Sequence, residues 1–249
     1  MIEEMHAQHK AVAADLRTWA LLHDRELDRE TLEALRDGPA QGCLGLILRS
    51  EAARRALDLL DSALAELPAQ IDPNTLDDLA AEYANIYLTY AYRASPNESV
   101  WFDDDGLERQ EAMFALRKVY RRHGLMAREW SKRSEDHLVL QLEFLAHVFE
   151  AVPPLEAGTL AADFLDRHLL TWVGQFAGRV EERSASSVYV GLLLATAAYL
   201  EELRDLLAET TGQERATLPA ESRQDGRSAN ETDQARSDEA YLPGAGPGW

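Results

Sequence analysis

The sequence predicts an all-α fold: a single multi-helix bundle followed by a tail. Three observations carry that prediction. Apolar residues recur at spacings of three and four along most of the first 209 residues. No stretch shows the strict apolar alternation of a half-buried strand, and glycine-rich hairpin signals are absent. Capping residues and prolines cut the chain into segments with short connections, which implies antiparallel neighbours.

Taken in order, Ile2 to about Asp24 places Val12, Leu16, Trp19 and Leu22 on one face. Asp28 can cap a short helix through Arg36, which Gly38-Pro39 ends. The pattern from Cys43 to Leu67 reads as helical, with Cys43 as a small apolar packing residue. Asp72-Pro73-Asn74-Thr75 is a capping sequence for a helix from Leu76 to Tyr90. A further helix is expected from Leu107 to His123, with Met113, Leu116 and Tyr120 inward and Gly124 as its stop. Ser134 is the expected cap of the helix that carries Leu138, Leu142, Leu145 and Phe149, and Pro153-Pro154 closes it. Two shorter helices come next, about Gly158 to Leu170 and Trp172 to Glu182. The last, Ser186 to Glu209, is apolar nearly all round in its first half, the mark of a central helix.

From residue 210 to 249 the composition turns to Gln, Ser, Glu, Asp, Arg, Pro and Gly. Such a segment buries too little apolar surface to offset its ordering entropy, so it is expected to be a disordered acidic tail. The domain boundaries expected are therefore 1–209 for the bundle and 210–249 for the tail.

The stretch from Tyr83 to Trp101 breaks the pattern. Helical spacing stops there, yet Tyr87, Tyr90, Tyr92, Val100 and Trp101 remain. Aromatics kept in a loop make it a candidate binding surface, because rigidly mounted loops often carry function. The alternative is a loop that folds its own aromatics back over the bundle.

Charge narrows the partner classes. The net charge of −19 argues against nucleic acid, whose phosphates need clustered Lys and Arg. It also opposes anionic membrane surfaces and suits cationic partners. The longest apolar run, Val188 to Leu200, is 13 residues, short of the roughly 18 that span a bilayer. With no secretory signal in Met-Ile-Glu-Glu-Met-His and a single cysteine, a soluble cytoplasmic protein without disulfides is expected.

Chemistry-bearing constellations are sparse. One Glu-x-x-His spacing occurs, Glu3 to His6, where a di-metal bundle needs two. His6 and His9 read as solvated, and Glu143 with His147 as a helical side-chain pair. No phosphate-binding glycine motif or nucleophile elbow is present. No catalytic residue, metal or cofactor is therefore nominated, and an enzyme is not expected. Asp136-His137, just after Ser134, is the remaining pair; it reads either as support for a helix start or as a polar rim beside the aromatic loop.

These residues, taken together, resemble the redox-enzyme maturation chaperones, the TorD/DmsD/NarJ group. Tyr83-x-x-Ile86-Tyr87 resembles the family's aromatic-x-x-Leu-Phe. Ser95-Pro96-Asn97-Glu98-Ser99-Val100-Trp101 is similar to its Pro-x-x-Ser-Val-aromatic loop, and Glu135-Asp136-His137 to its Asp-His helix start. His168-Leu169-Leu170-x-Trp172 resembles its His-Leu-x-x-Trp. Asn97-Glu98 stands where some export chaperones carry Trp-Gly, which leaves the branch and the client open.

The resemblance implies a cytoplasmic, non-enzymatic chaperone that binds the twin-arginine signal peptide of a molybdopterin-containing oxidoreductase precursor, of the DMSO reductase family. It implies aid in cofactor insertion and proofreading before export, with no cofactor of its own. The peptide-binding residues it implies are Tyr83, Ile86, Tyr87, Pro96, Ser99, Val100, Trp101, Asp136 and His137. Glu98, Asp103, Asp104, Asp105 and Asp136 would take arginine bidentately, and rings would add cation–π contact. Two other classes stand beside it: a helical enzyme using Asp136 with His137, and a structural subunit whose aromatics form a homodimer interface. Monomer and homodimer both fit.

Overall fold

Helix α1 (Ile2–Asp24) forms with the predicted face inward, burying Val12, Leu16, Trp19 and Leu22. The computed structural model describes residues 2–102, 107, 109–127 and 133–216. Helix α2 (Arg29–Arg36) starts behind Asp28, whose carboxylate accepts from the Thr31 amide at 2.8 Å.

Helix α3 (Glu51–Glu66) begins eight residues later than the Cys43 expected for it. Side chains from elsewhere satisfy the intervening backbone, so nothing drives it to coil earlier. Asp15 accepts from the Gly45 and Leu46 amides at 2.7 and 2.9 Å, and Glu202 from those of Arg49 and Ser50. Ser50 then caps α3 through the Ala53 amide at 3.1 Å. Cys43 ends a short 3-10 turn, Ala40–Cys43, and is exposed rather than packed.

Helix α4 (Pro73–Tyr83) is capped by Asp72 with proline in its first turn, as the sequence indicates. It does not reach Tyr90. The next turn, Ala84–Leu88, widens into a π turn that Thr89 closes by donating its amide to the Ala84 carbonyl at 2.9 Å. Helix α5 (Glu111–Arg122) starts four residues late, because the Gln110 amide is held by Ser99 Oγ at 3.3 Å. It buries Met113, Leu116 and Tyr120, and Gly124 comes after it at φ 71°, the left-handed conformation that ends helices.

Helix α6 (Leu138–Ala151) is capped not by Ser134 but by His137, whose Nδ1 accepts from the Val139 amide at 3.2 Å. Helix α7 (Pro154–Arg167) starts four residues before Gly158, since Pro154 suits a first helical position. A 3-10 turn, Leu169–Thr171, links it to α8 (Val173–Glu181). Helix α9 (Ser187–Thr211) runs two residues past Glu209.

Helix α1 lies along α6, α3 along α9, and α7 and α8 flank α9. The α3–α9 crossing is close enough that a Cβ at Gly191 would meet Leu60 Cα at 2.8 Å, so this position tolerates only glycine. Central α9 buries Tyr189, Leu193, Tyr199, Leu200 and Leu203, as its all-round apolarity foretells. Near its end the buried Arg204 pairs with Asp166 of α7 at 2.8 and 2.9 Å. Asp166 also accepts from the Ala216 amide at 2.8 Å, and Arg204 donates to the Gln213 carbonyl at 3.2 Å. Residues 210–216, assigned to the tail by composition, thus belong to the bundle; residues 217–249 lie outside the described residues.

Among the described residues no strand forms, only an isolated bridge between Asn97 and His137. None of the described helices is long and apolar enough to cross a membrane.

Candidate functional site

The loop from Ser95 to Trp101 is clamped against the start of α6. The Leu138 amide donates to the Pro96 carbonyl at 2.8 Å, and the Glu98 amide to the Asp136 carbonyl at 3.1 Å. Asp136, fully buried, is the fastener. Its Oδ2 accepts from the Ser99 amide at 2.8 Å and from Ser99 Oγ, and its Oδ1 from Ser134 Oγ. Ser134 therefore serves Asp136 rather than the helix backbone.

A second buried carboxylate ties the same loop to two more helices. Glu98 is 3% exposed. It accepts from Gln141 Nε2 of α6 at 3.0 Å and pairs with His168 Nδ1, after α7, at 3.0 Å. Gln141 also donates to the Asp136 carbonyl at 2.9 Å, joining the two fasteners. Tyr120 reaches in from α5 to donate to the Glu135 carbonyl at 3.0 Å, and Arg117 pairs with Glu135 at 2.7 Å.

The aromatics separate into buried and accessible sets. Tyr83, Ile86 and Tyr87 are inside the bundle, with the Tyr83 and Tyr87 rings stacked at 4.6 Å. The peptide-binding role implied for them finds no open surface in this structure: Ile86 is fully buried, and Tyr87 packs on Tyr189 of α9 and Phe176 of α8. Tyr87 OH bonds His23 Nδ1 at 2.6 Å, and His23 Nε2 bonds Thr196 Oγ1 at 2.9 Å. Burial pushes the Tyr83 hydroxyl up to about 12 and holds those of Tyr87 and Tyr120 well above the usual phenol range.

Leu88 and Tyr90 are exposed, at 60% and 38%, while Tyr92, Val100 and Trp101 are partly covered. Trp101 donates its indole N–H to the Ser95 carbonyl at 3.0 Å and packs on Phe176 of α8. Arg179 already lies 5.0 Å over the Trp101 ring, so the cation–π contact expected for a partner's arginine is supplied internally. Tyr90 and Arg93 hold the turn in left-handed backbone, at φ 54° and 51°.

Beside Tyr83 and Leu88 an open cleft of about 430 Å³ is lined by Asp24, Arg25, Glu26, Asp28 and Arg133. Arg133 pairs with Asp24 and donates to its carbonyl at 3.0 Å. Tyr83 OH donates to the same carbonyl at 2.8 Å. The cleft therefore sets three carboxylates and two arginines, with Asp24 and Arg133 already paired, against an apolar edge. Sequence reasoning missed these acids, because they sit at a helix end 59 residues before the aromatics in the chain and only the fold joins them.

The Asp136-His137 pair is not an exposed polar rim. Both side chains are buried, and Asp136 gives its carboxylate to serines rather than to His137. Burial holds the His137 imidazole well below its usual range, with Arg133 and His23 adding to the shift. That arrangement is not a base with its orienting acid, and it lends nothing to the enzyme reading. Glu143 pairs with Arg17 rather than with His147, and His9 packs edge-on against Phe149 at 5.0 Å. Asp103, Asp104 and Asp105 lie outside the described residues. Among the described residues no group of His, Cys, Asp and Glu is placed to hold a metal ion.

Several known proteins are similar to this chain. The family described as nitrate reductase delta subunit matches residues 49–178, which include the clamped loop and both of its buried carboxylates. The protein named Chaperone protein TorD of Vibrio cholerae serotype O1 is 26% identical over 210 residues, 79% of this chain and 94% of the relative. The TorD chaperone of Shewanella pealeana is 27% identical over 189 residues, 72% of this chain and 82% of its own. That of Psychrobacter is 25% identical over 215 residues, 83% and 96%.

Proposed function

We propose that this chain, which belongs to the nitrate reductase delta subunit family, is a chaperone of molybdoenzyme maturation that holds the arginine-bearing leader of its precursor. The client in this reading is an oxidoreductase of the molybdopterin-containing DMSO reductase class, kept from export until its cofactor is in place. The kinship with TorD chaperones supports the chaperone role. The observation that carries the leader is the cleft of about 430 Å³, where Glu26 and Asp28 stand beside Tyr83 and the exposed Leu88, with Arg25 on the same lining and Asp24 taken up by Arg133.

A twin-arginine leader offers two guanidinium groups and then an apolar stretch. Carboxylates take guanidinium groups bidentately, a geometry that lysine cannot reproduce. The exposed Leu88 and Tyr90 continue from the cleft as apolar surface for the stretch beyond the arginines. A chain of net charge −19 draws such a cation in and speeds encounter at low salt. Asp136 and Glu98 act one step removed, by fixing the loop that carries Tyr90 and Trp101.

Calorimetric titration with a twin-arginine peptide tests the reading, against a Lys-Lys control and across ionic strength. The arginine peptide is expected to bind more tightly, and its affinity to fall as salt rises. Glu26→Gln, on an exposed side chain, should weaken it about fivefold at low salt while the melting temperature stays put. Absence of binding by both peptides and by the intact precursor would overturn the proposal.

A further inference from the structure

One arginine of the chain itself already lies in the cleft beside Tyr83. Arg133 reaches Asp24 with two nitrogens of its fork, Nη1 to the carboxylate and Nη2 to the backbone carbonyl, the latter at 3.0 Å. Both acceptors stand at the C-terminal end of the 23-residue helix α1, where orphan carbonyls and the helix dipole favour a cation. The Tyr83 hydroxyl closes the place by donating to the same carbonyl at 2.8 Å.

This pair differs from the structural one deeper in the bundle. Arg204 and Asp166 are sealed, with side chains 1% and 0% exposed, whereas Arg133 and Asp24 keep 30% and 41%. The pair opens onto the cleft, so an incoming guanidinium group can replace Arg133 without parting the core. An ion pair that wet contributes little stability, and giving it up costs little.

We infer that the carboxylate and carbonyl of Asp24 are the seat for one arginine of the leader, and that Arg133 occupies this seat until the leader displaces it. The inference rests on the leader reading above; it adds which atoms take the arginine and what competes for them. Selectivity follows from geometry. Two acceptors of one residue suit two nitrogens of one planar fork, while a lysine brings a single nitrogen to them. The internal arginine also sets a threshold, because apparent affinity falls by the fraction of time the seat is filled. Glu26 and Asp28 remain on the lining for the second arginine.

Emptying the seat tests the inference, by calorimetric titration with the twin-arginine and Lys-Lys peptides. Arg133→Gln is expected to bind the arginine peptide about fivefold more tightly, the upper end for an exposed pair given up, and to gain much less for Lys-Lys. Arg25→Gln is the charge control: it removes a cation from the same lining, one whose charge acts on Asp28 rather than on Asp24. Its gain should be small and equal for the two peptides. Arg133→Lys keeps the charge but gives up the fork, so about a twofold gain for the arginine peptide alone is expected. It serves in place of Arg133→Gln should that variant fail to fold. With Asp24→Asn added, the gain of Arg133→Gln should shrink to that of Arg25→Gln.

Equal gains for both peptides in Arg133→Gln would assign the effect to net charge. A loss in that variant would make Arg133 one of the leader's own contacts. Either result overturns the inference. Unchanged affinity in Arg133→Gln and Arg133→Lys, while Glu26→Gln still weakens the leader, would remove the seat and leave the cleft standing. No leader binding by the unaltered protein or by Arg133→Gln would remove both.

Discussion

Replacing Asp136 with alanine is expected to cost about 3–5 kcal/mol of unfolding free energy, because buried hydrogen-bond donors lose their acceptor. The carboxylate is sealed from water and accepts from the Ser99 amide, Ser99 Oγ and Ser134 Oγ. Alanine leaves all three donors buried, each costing about 1–3 kcal/mol, less whatever water can enter. For a chain of this size the melting temperature should fall by roughly 10 °C. Asp136→Asn keeps the shape and part of the accepting capacity, so it should lie between. Urea denaturation tracked by circular dichroism measures both; a loss below about 1 kcal/mol for alanine would mean that the Ser95–Trp101 loop is fastened by something else. Hydrogen exchange at the Ser99 amide gives the local readout, and should speed up well beyond the global change.

Acidification supplies the second large effect. His23 is fully enclosed, and burial lowers its imidazole to about 3 from an ordinary 6.5. His137 is lowered in the same direction, by burial first and then by Arg133 and His23. Each ring is neutral in the folded chain and free to protonate once unfolded. Below pH 6.5 the unfolded state therefore binds more protons, so stability is complete above that value and declines as pH falls toward 3. From pH 7.5 to pH 5 the loss through His23 alone should be about 2 kcal/mol, with His137 adding in the same sense. Urea midpoints at pH 7.5, 6 and 5 test this before most carboxylates titrate. His23→Gln should flatten the curve by its share; an unchanged slope would show that the ring is not neutral in the fold.

Helix positions were legible because burial imposes its period on the sequence: Val12, Leu16, Trp19 and Leu22 point inward as their spacing requires. Starts and stops were legible where the cap is local, as at Asp28, Asp72, Ser186 and Gly124. They failed where distant side chains hold the backbone ahead of the cap. Asp15 and Glu202 satisfy the backbone before α3, and neither is near it in the chain. The motifs of the site were legible as well, but not their roles. His168 and Gln141 close on Glu98, and Asp136 closes on Ser99, so residues that look like an exposed rim are the inner frame of a loop. Polarity in a sequence does not say whether a group meets water or another group.

The backbone at Tyr90 and Arg93 has a consequence for engineering. Left-handed geometry at a residue with a Cβ costs roughly 1–2 kcal/mol, a penalty that glycine escapes. Selection for heat tolerance alone would thus favour glycine at both places and discard the Tyr90 ring. On the proposed reading, in which Tyr90 meets the leader, a hardier descendant obtained that way would hold the leader less well, and a library meant to improve this protein must score leader binding alongside melting.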